Sequence, residues 1–359
     1  MDAERRLLMQ ARRSESDRLR RYGAEVTESS PISARIADAL SESDEALRVI
    51  RSVPAGHRDP ALVLAVLHHL ALTGRAADLA AAIDIGDPDA AAAAAVRIVI
   101  RQADAVVATA AHRALLTMRT AVCAVLYPVL AEAAHRMGAD DIGVIDVNPG
   151  VGLNLHTDRV AITYSTGESL GNSASRVRID CRVVGQNALP TRTLPRVVAR
   201  VGIGKDIVDM ADPDEVLWLR ACVPPDQDEP ADQLDAAVAV AAAEPPVVLR
   251  GDVLDVVDDA IDEVPVAALP IVTTTWALSD LALESRLRWL QRLTDIAARR
   301  PIAWVSVEGV GVAPSIPTMG DRRASGHSII GLTMLGSSDL RSQAVGRCWT
   351  RGRVMSWLG

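Results

Sequence analysis

Phenylalanine is missing from this 359-residue chain, and tyrosine (3) and tryptophan (6) are sparse. Aromatic side chains usually carry much of a core's buried area. The core here must therefore be assembled from Ala, Val, Leu and Ile, which a hydrophobic content of 49% permits. Nearly all the positive charge is arginine, the net charge is −8, and no basic block stands out beyond the N-terminal stretch. A phosphate-neutralising face is thus lacking, which argues against nucleic acid as the main partner but leaves a small anionic substrate open. Cys123, Cys181, Cys222 and Cys348 form no Cys-x-x-Cys pair. That excludes the common zinc frameworks and predicts reduced, buried thiols in a cytoplasmic protein. None of the seven histidines pairs at i, i+4 on a convincing helix with a third ligand in view, so no metal is expected. The absence of Gly-x-Ser-x-Gly removes the support for Ser-His-Asp hydrolysis. The first residues have no apolar signal core. The Ala90–Ala95 run is too short for a bilayer and continues into Arg97 and Arg101, so no membrane segment is expected.

Beyond these absences, the chain reads as two regions. Residues 1–140 are helical. A charged, solvated helix is predicted over residues 3–21, and Ser30-Pro31 opens a second with Ile32, Ile36, Leu40 and Leu47 on one face. Asp59-Pro60 and Asp87-Pro88 start two more, the latter Ala-rich to about Ala111. In both, a carboxylate stands at the N-cap and a fixed φ at the first helical position. A fifth runs from Leu115 to Met137, kinked near Pro128 and closed by Gly138. From residue 141 to 359 apolar runs alternate with helical segments. The strands are predicted at 142–146, 197–203, 246–249, 269–275 and 302–307, which implies an α/β domain with a mostly parallel, Rossmann-like sheet. Two stretches differ. Residues 156–196 read as an inserted β-hairpin, and residues 328–335 and 353–358 as a terminal antiparallel pair.

Ligands of open α/β sheets bind beyond the carboxyl ends of the strands. Four such ends carry polar or glycine clusters: Asp146-Val-Asn-Pro-Gly-Val-Gly152, Gly204 to Asp206, Gly251-Asp252 and Glu308-Gly309. In the first, Gly150 and Gly152 would allow backbone to approach a ligand, and Asn148 tolerates a positive φ. A tight turn without ligand would use the same residues. Asp252 would accept from an exocyclic amine or cap the helix beginning at Val253. Trp276 would stack on a planar ligand or fill core. Glu308 is the best-placed general base or substrate anchor, with a surface carboxylate as the plain alternative.

The order Asp146-x-x-x-Gly-x-Gly, Gly202 to Asp206, Gly251-Asp252, the strand before Trp276 and a terminal antiparallel pair resembles a class I S-adenosylmethionine-dependent methyltransferase. More closely, Gly152-Leu-Asn-Leu155, Arg200-Val-Gly-Ile203, Trp218-Leu-Arg220, Arg250-Gly-Asp252 and Glu308-Gly309 resemble an actinobacterial domain-of-unknown-function family, numbered 2332, from about Ser30 onward. The resemblance implies a helical N-terminal part and a methyltransferase-like core. The chain reads as a divergent member. Asp146 stands where the pattern has Glu, and Gly204 where an acid would hold a ribose. Thr117-Met118-Arg119 replaces a Thr-Asn-Glu group, Val122 an arginine, and Arg351-Gly352 a His-Gly.

The reading that follows is a small-molecule methyltransferase with S-adenosylmethionine as cofactor. Asp146, Asn148, Gly150, Gly152, Asn154, Asp206, Asp252 and Trp276 would surround the cofactor, Glu308 would serve catalysis, and the helical region would cap the site or select the substrate. A homodimer or protein partner is compatible with it. The alternative is a catalytically inactive relative that binds or scaffolds, motivated by Gly204, Met118 and Arg119. An NAD-binding oxidoreductase ranks below both, because Asp-x-Asn-x-Gly-x-Gly does not match Gly-x-Gly-x-x-Gly in spacing.

Overall fold

A computed structural model describes residues 15–205, 207–336 and 339–359. The chain forms two compact units, one containing residues up to Thr117 together with Asp212–Leu234, the other Met118–Ala211 with Asp235–Gly359.

The first unit is helical: α1 (15–26), α2 (Pro31–Glu42), α3 (Asp44–Ser52), α4 (Pro60–Leu72), α5 (Ala77–Asp84), α6 (Pro88–Arg101) and α7 (Ala103–His112). Caps explain where helices begin. The Asp59 carboxylate accepts from the amide of Ala61 at 2.8 Å, and that of Asp87 from Asp89 and Ala90 at 3.1 and 3.0 Å. Several expectations change here. The single helix expected through Leu47 breaks at Ser43, whose hydroxyl accepts from Ala46 N and starts a new helix. The run to Ala111 divides at Gln102. The N-terminal helix is not simply solvated where it is described, since Leu19 is buried in the core; residues 3–14 of that prediction lie outside the described residues. With no Phe to fill space, Ala91, Ala92, Ala94 and Ala95 of α6 are buried in one cluster with Ile36, Ala37 and Leu40 of α2. Leu67, Leu70, Leu79 and the fully buried Trp218 complete the cluster.

The second unit begins with α8 (Cys123–Arg136), which sequence alone groups with the preceding helices. It starts eight residues later than Leu115, contains Pro128, and is buried along almost its whole length. Then come β1 (Asp141–Val147), β2 (Ala161–Tyr164), β3 (Ser169–Gly171), β4 (Arg178–Val183) and β5 (Arg196–Gly204). Helix α9 (Pro213–Ala221) belongs to the first unit, and the division between units falls within α10 (Asp228–Ala243). The remainder is β6 (Val247–Arg250), α11 (Val253–Asp262), β7 (Leu269–Thr275), α12 (Leu283–Ala297), β8 (Ile302–Gly309), β9 (Ser328–Leu335), β10 (Leu340–Trp349) and β11 (Val354–Trp357).

The eleven strands among the described residues form one sheet in the order β3-β2-β4-β11-β10-β9-β8-β7-β1-β5-β6. From β8 to β6 every pairing is parallel. Strands β1, β7 and β8 are buried at nearly every position, which is why they read as unbroken apolar runs. The chain steps from β1 outward to β5 and β6, returns to β7 on the other side of β1, and continues to β8. Its direction of winding therefore reverses between β1 and β7, the place where such sheets form a crevice.

Two expectations about the remaining strands are corrected. The runs at 160–164 and 177–184 do not form a hairpin. They pair in parallel, and the antiparallel partner of β2 is the short β3. The terminal pair is instead a three-stranded antiparallel meander, β9-β10-β11, in which β11 also joins β4. The 156–196 insertion thus extends the far edge of the sheet. No single helix among the described residues is long and apolar enough to cross a membrane. The four cysteines are free, with Cys123, Cys181 and Cys348 buried and Cys222 half-buried.

Candidate functional site at the reversal point

The turn after β1 is left-handed at three positions: Asn148 (φ 52°), Gly150 (φ 58°) and Gly152 (φ 75°). A Cβ on Gly150 or Gly152 would meet nothing within 4 Å, so backbone is bare there. Asn148 is held by its amide, which donates to the Ile203 carbonyl at 2.8 Å, and its side chain leans over β5. A Cβ on Gly204 would stand 2.2 Å from Asn148 Oδ1. The Asn148 pose and the φ of 153° at Gly204, which side chains rarely adopt, together account for the glycine at the position expected to hold a ribose. Asp206 lies outside the described residues.

Asp146, at the end of β1, is fully buried. Its Oδ1 lies 2.5 Å from Thr273 Oγ1, and its Oδ2 accepts from Asn154 Nδ2 at 3.0 Å. Burial pushes its carboxyl up to about 7, against the opposing hydrogen bonds from Thr273 and Asn154. Asn154 Nδ2 also donates to Thr275 Oγ1 at 3.1 Å. Asp146 and Asn154, predicted separately, therefore meet in one polar cluster that joins β1 to β7. Thr273 and Thr275 belong to it too. Sequence reasoning passed over them because they read as β-formers in a strand.

The other predicted residues stand apart from this cluster. Asp252, beyond β6, is exposed; it caps α11 by accepting from Leu254 N at 3.1 Å and pairs with Lys205 at 3.4 Å. The Leu254 amide and Lys205 keep its carboxyl below the ordinary range. Glu308 is not a surface carboxylate: it is 1% exposed. Its Oε1 accepts from Leu278 N at 3.0 Å and its Oε2 from Ser279 Oγ at 3.3 Å, so it pins the loop that follows Trp276. Burial raises it to about 7. Trp276 has a left-handed backbone (φ 57°), and its Nε1 donates to Ser328 Oγ at 2.8 Å. Its ring carries two guanidinium groups, Arg351 at 4.7 Å and Arg119 at 6.0 Å from the centroid.

Below the turn lies a small apolar cavity of about 40 Å³ lined by Pro149, Gly152, Leu155, Ile207, Met210 and Pro246, among others. That is room for a water molecule rather than for a nucleoside. Arg200 closes the nearby face of β5. Its guanidinium is 6% exposed, binds both Asp158 oxygens at 2.7 and 2.8 Å, and reaches Glu244 at 2.9 Å. No group of three or more His, Cys, Asp or Glu among the described residues is disposed to hold a metal.

Comparison with known families places the chain. Residues 16–357 match the family described as an uncharacterised protein conserved in bacteria, DUF2332. The chain belongs to that family. No curated protein and no solved structure matches it. The family description carries no activity, so what this DUF2332 member does has to be argued from its site.

Proposed function

We propose that the sheet unit of this protein is a methyltransferase-like domain that binds S-adenosylmethionine and acts on a small molecule. The observation that carries the reading is the left-handed turn at Asn148, Gly150 and Gly152, which ends β1 at the point where the winding of the sheet reverses. The bare backbone at Gly150 and Gly152 fits a ligand lying against it. Asn154 and Asp146 would orient the turn from below, and the exposed Asp252 has a carboxylate able to accept from an amine. When bound, such a cofactor supplies an electrophilic methyl group. The chain's part would be to position the nucleophile, the effect that yields most of the rate gain in reactions of this kind. Glu308 holds the loop behind Trp276 rather than offering a free carboxylate, so general-base help from it has no support in the geometry.

Two observations favour the second reading, a binding protein that has lost catalysis. The Asn148 contact and the φ of 153° at Gly204 disfavour an acid at the ribose position, and only a small cavity lies below the turn. Titration calorimetry with S-adenosylmethionine and S-adenosylhomocysteine separates the outcomes. The first reading expects saturable binding of both. Heats no greater than dilution at millimolar ligand would overturn it. Mass spectrometry of a different small molecule copurifying with the protein would favour the second reading.

A further inference from the structure

Two residues that stand out in the sequence only as departures from the family pattern, Arg119 and Arg351, come together in space. One precedes α8 and the other follows β10, yet both guanidinium groups face the Trp276 ring. Neither has a carboxylate partner within 4 Å among the described residues, unlike Arg136, Arg192, Arg196, Arg200, Arg292, Arg299 and Arg347 of the same unit. The acids of the neighbouring segments are committed elsewhere. Asp321 pairs with Arg347 and His327, Glu308 accepts from Leu278 and Ser279, and Asp146 is buried with Thr273 and Asn154. Partial burial and the charge of Arg351 hold Arg119 below its ordinary pKa, the mark of two like charges sharing one place.

The backbone pays attention to the same spot. Trp276, Thr350 and Arg351 have φ of 57°, 50° and 56°, three of the six non-glycine residues with left-handed backbone among those described. Such conformations persist only where the surroundings over-determine them, and they concentrate at ligand sites. Here the surroundings do so. The Trp276 amide donates to the Val307 carbonyl, its ring to Ser328, and Glu308 fixes the loop beyond. At the Arg351 corner, a Cβ on Gly352 would lie 2.7 Å from the Ala121 carbonyl oxygen, so that corner is seated against the turn that carries Arg119.

We propose that Arg119 and Arg351, converging on Trp276 beyond the end of β7, bind the phosphoryl group of a small-molecule ligand. A guanidinium offers a planar fork to an oxyanion, and stacking on an aromatic ring holds the fork in place. Two unneutralised cations match a dianion; a single carboxylate would leave one of them uncompensated. The proposal stands apart from methyl transfer and needs no cofactor.

The test uses the full chain and inorganic phosphate at constant ionic strength, with sodium acetate as the carboxylate control. Calorimetry is expected to show saturable phosphate binding, at least tenfold weaker in Arg119→Gln and in Arg351→Gln, with acetate binding at least tenfold weaker than phosphate. Absence of saturable phosphate binding, equal binding of acetate, or variants that bind like the parent would each overturn it. Should either variant fail to fold by circular dichroism, the parent protein still decides the matter. Phosphate is expected to slow phenylglyoxal modification of Arg119 and Arg351 several-fold, read by peptide mass spectrometry, and unchanged rates would count against the site.

Discussion

At the scale of single residues, Gly204 shows how one side chain can decide what a neighbouring position is allowed to be. Its would-be Cβ lies 2.2 Å from Asn148 Oδ1, far inside van der Waals contact. Gly204→Ala is expected to cost about 1–3 kcal/mol, the range for forcing atoms into a filled space. The cause can be separated from a backbone preference by a second substitution. Asn148→Gly removes the obstructing oxygen and supplies the residue that tolerates φ 52° best. The double variant should therefore recover the share of the loss due to the contact, seen as a coupling in urea denaturation, while the strain of a side chain at φ 153° on residue 204 remains. If the two costs simply add, the contact is not what keeps 204 a glycine.

At the scale of elements, polar side chains tie loops to strands. Arg200 reaches from β5 to Asp158 and Glu244, which flank the sheet on separate segments, and donates to the Leu155 carbonyl. Arg200→Met would leave Asp158 and Glu244 to share Arg159, which pairs with both, and would deprive the Leu155 carbonyl of its donor. The expected loss is about 1–3 kcal/mol, measured as a lower denaturation midpoint with an unchanged slope. Glu308 does the corresponding work at β8. Glu308→Ala should cost about 1–3 kcal/mol, because the buried Leu278 amide loses its acceptor. Amide exchange at residues 277–281 should accelerate more than in the rest of the sheet.

The same distinction separates what sequence patterns reveal from what they hide. Strands β1, β7 and β8 were legible because runs buried on both faces are largely apolar. Strand β10 was not. It carries Arg341, Ser342, Gln343 and Arg347, and it is a strand because β9 and β11 flank it, not through its own composition. The parallel pairing of β2 with β4 is likewise set by partners far along the chain. Within the candidate site, the glycine turn and Asp146 could be read locally. The pairing of Asn154 with Asp146 and the meeting of Arg119 with Arg351 could not, since each depends on segments the fold brings together.

At the scale of the whole molecule, buried carboxylates set how stability responds to pH. Burial raises Asp146 and Glu308 to about 7, whereas the unfolded chain titrates them near about 4. Between those values the native state binds protons that the unfolded state does not, so stability rises as pH falls from about 7 toward about 4. For the fully buried Asp146 alone the span corresponds to on the order of 4 kcal/mol. The paired acids at the surface act with the opposite sign. Arg196 lowers Asp141, Arg159 lowers Glu244 and Arg347 lowers Asp321, and their contribution is lost only as pH drops through folded values below the usual carboxylate range. These exposed pairs are weak. The melting temperature should therefore climb from pH 8 to about pH 5 and fall again below about 4. Asp146→Asn tests the assignment directly. A neutral Asp146 can donate to Thr273 Oγ1, which lies 3.3 Å from the Ile145 carbonyl and can pass its own hydrogen there, while Oδ2 still accepts from Asn154. An asparagine amide keeps a donor and an acceptor there but adds a second N–H in a fully buried site. The test is therefore the slope: the variant should show a shallower rise toward pH 5 than the parent. A parent whose melting temperature is flat or falls between pH 8 and 5, or a variant that keeps the full slope, would place the titrating groups elsewhere.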